Sequence, residues 1–471
     1  MSKGKDLVKN TAILMAAKLA THFVSFFLMP LYTAILSTEE YGESDVYSTL
    51  ATILLPFFTL QIEMSLFRFF ISDKDEAERK KTVTSAFCIS GICLGAAAVI
   101  YLAVSAFVTV KYRFVLLLFY SSLTLLTLLL QTARAKGDNI CYGTATFLSS
   151  FISILLNLLL VAWLRYGVVG ILSAQIISNV ITSCFILIRT RILRYFRISI
   201  LDYEKSIKML KYSTPLILNQ ISSWVINYSD RLIILKLLNI GMNGIYAVAN
   251  KFSNILAMLF NMYMVAWTEN IVRTMDSENN EQYLSKVIGL SFNAYLIVIT
   301  GIINLMPFVF GWLINEAFAD AYPHIPLLLF STFFYGMAAM IGSIYVAYGK
   351  TKSVSITTAV SALINVTVHI SLVRIIGLYA ASVSTIVSFI LLFIYRLIDV
   401  QKFCPIRIEL KKVILPLAIV LVSCAAYWSQ NTVYIIIGLL LNLLDLTYIA
   451  ANNKQMLISM LNRKNHSEKG E

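Results

Sequence analysis

The sequence predicts an all-α integral membrane protein with about fourteen transmembrane helices. Of its 471 residues, 58% are hydrophobic and only 13% are charged, and the mean hydropathy is +0.77. Because soluble domains carry about 25% charged residues, this composition excludes a soluble globular protein. The net charge is +13, but the chain is too apolar to form a basic face that binds nucleic acid. No nucleic-acid partner is therefore expected.

Apolar runs long enough to cross a bilayer recur along the whole chain. A crossing helix needs about 20 apolar residues, and several runs exceed that length, which indicates tilted helices. The first run is too long for a signal peptide and is not followed by a small-residue cleavage site. The predicted spans lie near residues 10–36, 43–71, 82–109, 113–133, 141–164, 168–189, 212–238, 244–272, 284–313, 324–348, 353–375, 378–397, 409–428 and 432–451.

The distribution of basic residues predicts the orientation. If the N-terminus is cytoplasmic, 29 of the 38 Lys and Arg residues fall in cytoplasmic segments and only four fall in outer turns. An excess of Lys and Arg in cytoplasmic loops is typical of multi-pass membrane proteins. Both termini are therefore expected inside, and the outer turns are too short for a soluble domain.

An internal repeat predicts two six-helix halves. Residues 37–42 (STEEYG) and 239–244 (NIGMNG) each precede a long helix, a polar stretch and another span, at an offset of 202 residues. Residues 157–174 and 365–382 share an Asn, an apolar half-helix, an Arg and a Gly turn. Repeats of the same in-to-out sense predict lobes related by an axis along the membrane normal, with a site between them.

The predicted organisation follows from these repeats. It comprises an N-terminal six-helix lobe at 1–189, a cytoplasmic amphipathic linker at 190–211, a C-terminal six-helix lobe at 212–400, an additional helix pair at 401–452 and a polar cytoplasmic tail at 453–471. The linker mixes basic and apolar residues, which favours an amphipathic helix on the membrane surface.

No motif for catalysis, metal binding or a cofactor is present. The six cysteines lie in or beside apolar runs and form no CxxC pair, so neither a disulfide framework nor a zinc site is expected. The sequence has no P-loop, no Rossmann glycine fingerprint, no GxSxG and no HExxH. We therefore expect a protein without a cofactor, and not an enzyme.

Residues 230–251 carry a resemblance to a known family. Their Asp-Arg pair, followed by Asn-Gly-Ile-Tyr-Ala-Val-Ala-Asn-Lys, is similar to the start of the second lobe in polysaccharide transporters. These belong to the multidrug/oligosaccharidyl-lipid/polysaccharide exporter superfamily. Residues 9–42 look like the family's first helix and outer turn, and the Asn…Gly repeats look like its fifth and eleventh helices. The sequence departs at Asn243, where Val is usual.

The resemblance covers roughly residues 7–400. It implies two six-helix bundles in a V shape, in the inner (cytoplasmic) membrane of a bacterium. It also implies alternating access that moves a lipid-linked oligosaccharide between membrane leaflets for cell-surface polysaccharide biosynthesis. The implied partners are this substrate, membrane lipids and a polysaccharide polymerase or other biosynthesis machinery.

Ionisable and amide side chains within the spans form the candidate substrate cavity. A charge at mid-membrane costs about 2.5–3.5 kcal/mol on insertion scales, so it normally faces a cavity or a partner. A polyprenyl diphosphate requires cations, and a glycan suits amide side chains. The candidate residues are Lys18, His22, Glu63, Arg68, Asn227, Asp230, Arg231, Asn250, Lys251 and Asn254.

Several of these residues also fit a structural role. Lys18 and Arg68 lie near the inner interface, where long cationic side chains extend towards water. Asp230 and Arg231 are adjacent, so their side chains project about 100° apart and need different partners. The asparagines of the eighth span fall on roughly one stripe, which suits either sugar hydroxyls or hydrogen bonds between helices.

Three alternatives to an oligosaccharide flippase stay open. A lipid II flippase shares the fourteen helices and a cationic cavity, whereas twelve spans are usual for an ion-coupled multidrug exporter. A membrane glycosyltransferase would use the outer-turn acids Glu39, Glu40, Glu43 and Asp45. Such enzymes usually hold their acceptor in a large outer loop, which this sequence lacks.

Overall fold

The structure, a computed structural model, describes residues 26–107, 110–274, 280–407 and 410–452. Within these ranges the chain is α-helical, with short 3₁₀ and π turns and no strand. Eight of the described helices are long and apolar enough to cross a membrane, and a bent pair adds a ninth. The all-α membrane class is thereby confirmed. The number of crossings and their orientation stay predictions.

The chain divides into two compact units, residues 1–248 and 249–471. The first unit contains α1 (Phe26–Ile35), α2 (Thr38–Thr59), α3 (Ile62–Ser72), α4 (Glu76–Phe107), α5 (Arg113–Ala135), α6 (Asn139–Asn157), α7 (Gly167–Thr190), α8 (Tyr203–Leu237) and the start of α9 (Ile240–Thr274). The second contains the rest of α9, α10 (Asn280–Leu313), α11 (Ile325–Ala347), α12 (Thr351–Ile376), α13 (Tyr379–Val400), α14 (Leu410–Ser429) and α15 (Thr432–Asn452).

Helix α8 packs against the first unit although the repeat assigns it to the second half. Its contacts are with α2, α3 and α4. The Trp224 indole donates to the Thr49 carbonyl of α2 at 3.4 Å, and the Ser65 hydroxyl of α3 donates to the Met209 carbonyl of α8 at 2.9 Å. The boundary between units therefore falls inside α9, and the division into two six-helix lobes stays a prediction.

The span predicted at 43–71 is two helices, α2 and α3, bent by 51°. Leu60 and Gln61 both adopt left-handed backbone conformations, with φ of 47° and 54°, and this interrupts the helical hydrogen bonds. The Thr59 hydroxyl accepts from the Gln61 backbone N–H at 3.1 Å and replaces one of the interrupted helical hydrogen bonds. Pro56, one turn earlier inside α2, has no backbone N–H and so removes a further helical hydrogen bond.

Both Asn…Gly repeats form the expected helix, turn and helix. Asn157 ends α6, which continues as a π-helical turn at Leu158–Trp163, and Gly167 opens α7 at φ +53°. In the second unit, Gly377 joins α12 to α13 at φ +58°. Both asparagines are buried. Asn157 accepts from the Tyr32 hydroxyl at 2.8 Å, and Asn365 donates to the Thr385 hydroxyl at 3.1 Å.

A buried arginine joins three helices of the second unit. Arg396 of α13 donates to the carbonyl oxygen of Ala338 in α11 at 2.9 Å. Its guanidinium also reaches the hydroxyls of Thr357 and Thr358 and the carbonyl of Val354 in α12, at 2.7–3.1 Å. Neutral oxygens therefore satisfy this cation, which ties α11, α12 and α13 together.

The linker at 190–211 does not form one surface helix. It contains two 3₁₀ turns, Ile192–Tyr195 and Ile198–Ile200, before α8 begins at Tyr203. Arg191 has a left-handed φ of 49° and Arg197 is extended, so each interrupts a helical run. At the start of α8, the Asp202 carboxyl accepts from the Lys205 backbone N–H at 3.0 Å, and this hydrogen bond lowers the pKa of that carboxyl.

A buried lysine fixes the start of α8 to α3 and α4. The Lys205 ammonium lies 2.9 Å from a carboxylate oxygen of Asp73, which follows α3, and 2.9 Å from one of Glu78 in the first turn of α4. It also donates to the Glu78 carbonyl at 2.9 Å. All three ammonium protons therefore have acceptors, which offsets the burial of the charge.

Replacing Lys205 with Met should destabilise the protein by about 3 kcal/mol, because two carboxylates lose their shared cation. The measurement is the thermal unfolding midpoint in detergent, followed by tryptophan fluorescence. The control is Lys208→Met on the same helix, whose pair with Glu204 at 2.6 Å is exposed and should matter little. Equal midpoints for the two variants would contradict this role of Lys205.

Candidate functional site

Helices α2 and α9 come into backbone contact at two glycines. A Cβ atom on Gly42 would lie 2.0 Å from the Ile240 carbonyl oxygen, and one on Gly244 would lie 2.1 Å from the Thr38 carbonyl oxygen. Neither position can hold a side chain without moving a backbone. The contact is reciprocal, because each glycine meets the carbonyl that lies one turn before the other. Gly42 and Gly244 are 202 residues apart, as are Thr38 and Ile240, and this is the offset of the repeat.

The local sequence explains why both helices begin at this contact. Ser37 and Glu40 form a capping box at the start of α2, in which the side chain of each accepts from the other's backbone N–H. At the start of α9, the Asn239 side chain accepts from the Met242 backbone N–H at 2.8 Å. Each motif of the repeat therefore encodes a helix start with a glycine one turn inside.

A buried ion pair lies beside the two glycines. The Arg231 Nε of α8 donates to the Asp45 Oδ2 of α2 at 2.8 Å, and the two side chains are only 8% and 18% exposed. The Asn243 Nδ2 of α9 donates to the Gly42 carbonyl at 3.2 Å and to the Asp45 Oδ2 at 3.3 Å. We call these five residues, Gly42, Asp45, Arg231, Asn243 and Gly244, the glycine junction.

Asp230 has a different partner from its neighbour Arg231. Its carboxylate accepts from the Tyr246 hydroxyl of α9 at 3.0 Å. The two adjacent charges therefore face different helices, as the 100° step between helical neighbours predicts. Arg231 also lies over the rings of Tyr228 and Tyr246, at 5.3 and 6.0 Å from their centroids.

Glu63 lies at the break between α2 and α3. Its side chain is buried in the first turn of α3, where the positive end of the helix dipole favours a carboxylate. Its Oε2 atom is buried and makes no hydrogen bond to any part of the chain that the structure describes. Two further candidates, Lys18 and His22, lie outside the described residues.

The other candidates of the first unit lie nearer the surface. Arg68 is exposed, and its guanidinium carbon lies 4.3 Å from the centre of the Tyr212 ring. This position suits the interfacial alternative considered for Arg68. Asn227 is exposed too, and its backbone carbonyl lies 3.5 Å from an Arg231 nitrogen.

Three candidates belong to the second unit. Asn250 and Lys251 are partly buried on α9, and Asn254 is exposed one turn further along. Because the glycine junction lies in the first unit, the structure does not test whether these residues share a cavity with it. A role in substrate binding stays a prediction for all ten candidates.

Sequence reasoning missed two members of the junction, Asp45 and Asn243. From the sequence, Asp45 is a candidate only as a catalytic acid of a glycosyltransferase. Asn243 stands out only because Val is usual at that position in the family. The ion-pair partner of Asp45 is 186 residues away in sequence, so no local pattern reveals it. The repeat offset did contain a signal, because it pairs Gly42 with Gly244.

The other acids of the predicted outer turn also have structural partners. Glu40 completes the capping box of α2, and Glu43 contacts the Lys111 ammonium at 2.9 Å and the Tyr47 hydroxyl at 2.8 Å. The hydrogen bond to Glu43 raises the pKa of the Lys111 ammonium. With these contacts and the Asp45–Arg231 pair, three of the four acids hold helices in place.

Comparisons with known proteins agree with this architecture. Residues 7–268 match the family model described as "Polysaccharide biosynthesis protein". Comparison with curated proteins gives no significant match.

Solved structures of low sequence identity share the fold. The chain is similar to lipid II flippase MurJ in an inward closed conformation, with a TM-score of 0.73 and 15% identity over 96% of this chain and 100% of that one. It is also similar to an inward-facing multidrug resistance MATE family transporter of the MOP superfamily, with a TM-score of 0.59 and 15% identity over 82% and 94%. A third similar structure is a mutant of the Vibrio cholerae MATE transporter VcmN. Its TM-score is 0.57, and its sequence identity is 13% over 85% of this chain and 97% of that one. With the family match, these similarities confirm the superfamily resemblance.

Substituting Gly42 with Ala should destabilise the first unit by about 1–3 kcal/mol, because the added methyl group collides with backbone atoms of α9. The control is Gly95→Ala in α4, where no described atom beyond the neighbouring turns of its own helix backbone lies within 4 Å of the added Cβ, and Ala there should raise helix stability. Thermal unfolding of both purified variants measures the difference. A Gly42→Ala midpoint equal to that of Gly95→Ala would contradict the close contact.

Removing one member of the ion pair should cost more than removing both charges. Arg231→Met leaves the Asp45 carboxylate buried without its cation, at a cost of about 3–5 kcal/mol. Asp45→Asn together with Arg231→Met removes both charges and should recover more than about 1 kcal/mol relative to additivity. A thermal double-mutant cycle measures this coupling, and additive single effects would contradict the pair.

Proposed function

The chain belongs to the polysaccharide biosynthesis protein family, and we infer its function from this membership. Solved structures that share its fold include a lipid II flippase and a multidrug resistance transporter. We propose that this chain moves a polyprenyl-diphosphate-linked oligosaccharide across the cytoplasmic membrane of a bacterium by alternating access, for cell-surface polysaccharide biosynthesis. A polysaccharide polymerase is the partner expected to receive the product.

The observation that carries the proposal is the composition of the glycine junction. Two helices that occupy equivalent positions in the two halves of the repeat touch at Gly42 and Gly244, and beside them a buried ion pair occupies space that an apolar core could fill. Replacing a buried ion pair with well-packed apolar residues is often neutral or stabilising. Retaining the charges is therefore best explained by a use for them when the helices separate.

Separation of the helices is less costly with charges than with an apolar contact. When α2 and α8 part, Asp45 and Arg231 enter water, and each recovers the hydration that it lost on burial. Apolar surfaces that part would instead be exposed to water at a net cost. In the predicted orientation the junction lies at the outer ends of the helices, so it would close the outer side and open once in each transport cycle.

The released arginine then provides a binding group for the substrate. A guanidinium forms charge-assisted, bidentate hydrogen bonds with phosphate as well as with carboxylate. We therefore expect Arg231 to exchange the Asp45 carboxylate for the diphosphate of the lipid carrier. Lys18, Arg68 and Lys251 are the further cations proposed for this group. His22, Glu63 and Asp230 are proposed as polar residues of the same cavity, and Asn227, Asn250 and Asn254 as contacts for the glycan.

Two functions of the same superfamily remain as candidates. The higher TM-score to lipid II flippase MurJ, 0.73 against 0.59 for a MATE family transporter, favours a lipid-linked sugar over a drug as the cargo. A lipid II flippase is therefore the second candidate, and an ion-coupled multidrug exporter is the third.

The test is complementation of bacteria that lack their own oligosaccharide flippase. We expect the chain to restore surface glycan in at least one of several strains with different glycans, and Arg231→Ala and Lys251→Ala to reduce it at least tenfold. Gly95→Ala is the control variant, and immunoblotting confirms equal amounts in the membrane. Efflux of a toxic dye without glycan in any strain would contradict the proposal and favour a multidrug exporter.

A further inference from the structure

A strongly basic cavity lies at one end of the first unit, away from the glycine junction. Its volume is about 650 Å³, and it is formed where α4 begins, where α5 and α7 end, and where the linker passes. Six cationic side chains line it, namely Lys80, Lys136, Arg189, Arg191, Arg194 and Arg197. In the predicted orientation this is the cytoplasmic end of the helices.

Polar contacts fix part of this cavity in place. The Lys136 ammonium donates to the Thr190 carbonyl at the end of α7 at 2.6 Å and lies 4.7 Å from the centre of the Tyr195 ring. The Lys80 ammonium lies 5.9 Å from the centre of the same ring. Tyr195 therefore contacts two cations of the cavity lining, and these contacts hold the linker against α4, α5 and α7.

The cavity has more positive charge than its acidic neighbours compensate. Glu76 pairs with Lys80 at 3.0 Å, and Asp138 lies 3.6 Å from Arg189. Within the described ranges, Arg191, Arg194 and Arg197 have no carboxylate within 4.0 Å, and all three are exposed. Burial also lowers the pKa of Lys136, because a partly buried cation is solvated less by water. An anion in the cavity would relieve this excess.

The surface beside the cations is apolar. Ile188, Leu193, Ile198 and Leu201 are 77%, 61%, 70% and 47% exposed, and they alternate with the arginines along the end of α7 and the linker. A site for a soluble anion does not need such a surface. Exposed apolar side chains interleaved with arginines are typical of segments at the boundary between lipid headgroups and acyl chains.

We propose that this cavity binds the phosphate of an anionic phospholipid headgroup at the cytoplasmic surface of the membrane. Arginines bind phosphate through two parallel hydrogen bonds, and Arg191, Arg194 and Arg197, which have no carboxylate within 4.0 Å in the described ranges, supply such donors. The apolar residues beside them contact the glycerol backbone and the first methylene groups of the lipid. This site is distinct from the proposed transport pathway and does not depend on which substrate the protein moves.

The test counts lipids that stay bound to the purified full-length protein in native mass spectrometry. The lipids are phosphatidylglycerol, which is anionic, and phosphatidylcholine, which is zwitterionic. We expect the native protein to retain phosphatidylglycerol at least fivefold more than phosphatidylcholine. The triple variant Arg191→Gln, Arg194→Gln, Arg197→Gln should lose most of this preference.

The control triple variant removes the same number of charges outside the cavity. Lys211→Gln, Lys352→Gln and Arg407→Gln replace exposed cations that do not line it, and this variant should keep the preference. Equal thermal midpoints for both variants confirm that folding is intact. A preference that persists in the cavity variant, or that both variants lose equally, would overturn the proposal.

A second measurement separates a lipid headgroup from a soluble phosphate. Inorganic pyrophosphate is titrated into the lipid-free protein, and binding is followed by the thermal midpoint. Weak or absent binding, together with strong retention of phosphatidylglycerol, supports the lipid. Tight pyrophosphate binding that the cavity variant loses, without selective phosphatidylglycerol retention, would overturn the lipid assignment.

Discussion

The backbone contact between Gly42 and Gly244 is the constraint on which the first unit depends. Because neither residue carries a side chain, α2 and α9 approach until each glycine lies against a backbone carbonyl of the other helix. This approach brings Asn243 within hydrogen-bond distance of the Gly42 carbonyl and of Asp45. The carboxylate is then held where the Arg231 of α8 reaches it at 2.8 Å. Three helices thus meet at one point because two residues lack a Cβ atom.

Buried charges of the helices are accommodated in three different ways. Arg231 is neutralised by a carboxylate, whereas Arg396 is satisfied by carbonyl and hydroxyl oxygens of two neighbouring helices. Glu63 instead lies at the start of a helix, and one of its oxygens is without a hydrogen bond within the described part of the chain. Arg231 can exchange its carboxylate partner for another anion, since a carboxylate and a phosphate present similar acceptors. Arg396 instead donates to two backbone carbonyls and two hydroxyls at once, which suits a static role in packing.

Much of the helical architecture could be predicted from the sequence, because apolar runs and their polar boundaries determine where helices cross or approach a bilayer. The predicted span at 353–375 corresponds to Thr351–Ile376, and the span at 284–313 corresponds to Asn280–Leu313. The break at Leu60 and Gln61 could not be predicted, since neither residue is a glycine or a proline. Its nearest signal was Pro56, one turn earlier.

The candidate site was predicted in part. A charge such as Arg231 is conspicuous in an apolar run, because burying it without a partner is costly. Its partner Asp45 is not conspicuous, because an acid next to a predicted turn is ordinary. The contacts of Lys205 were hidden for the same reason: a lysine in a polar linker gives no sign that the fold buries it against two carboxylates. Tertiary pairing, not local pattern, decides the role of such residues.

The central claim is that the glycine junction must open during transport. A disulfide between Thr38→Cys and Gly241→Cys tests it most directly, because a Cβ on Gly241 would lie 3.3 Å from the Thr38 hydroxyl and the ion pair stays intact. The pair is introduced into a variant without the six native cysteines, and surface glycan is measured in the complemented strain before and after oxidation. We predict that oxidation abolishes new surface glycan and that a reductant restores it. Undiminished export by fully cross-linked protein would contradict the account.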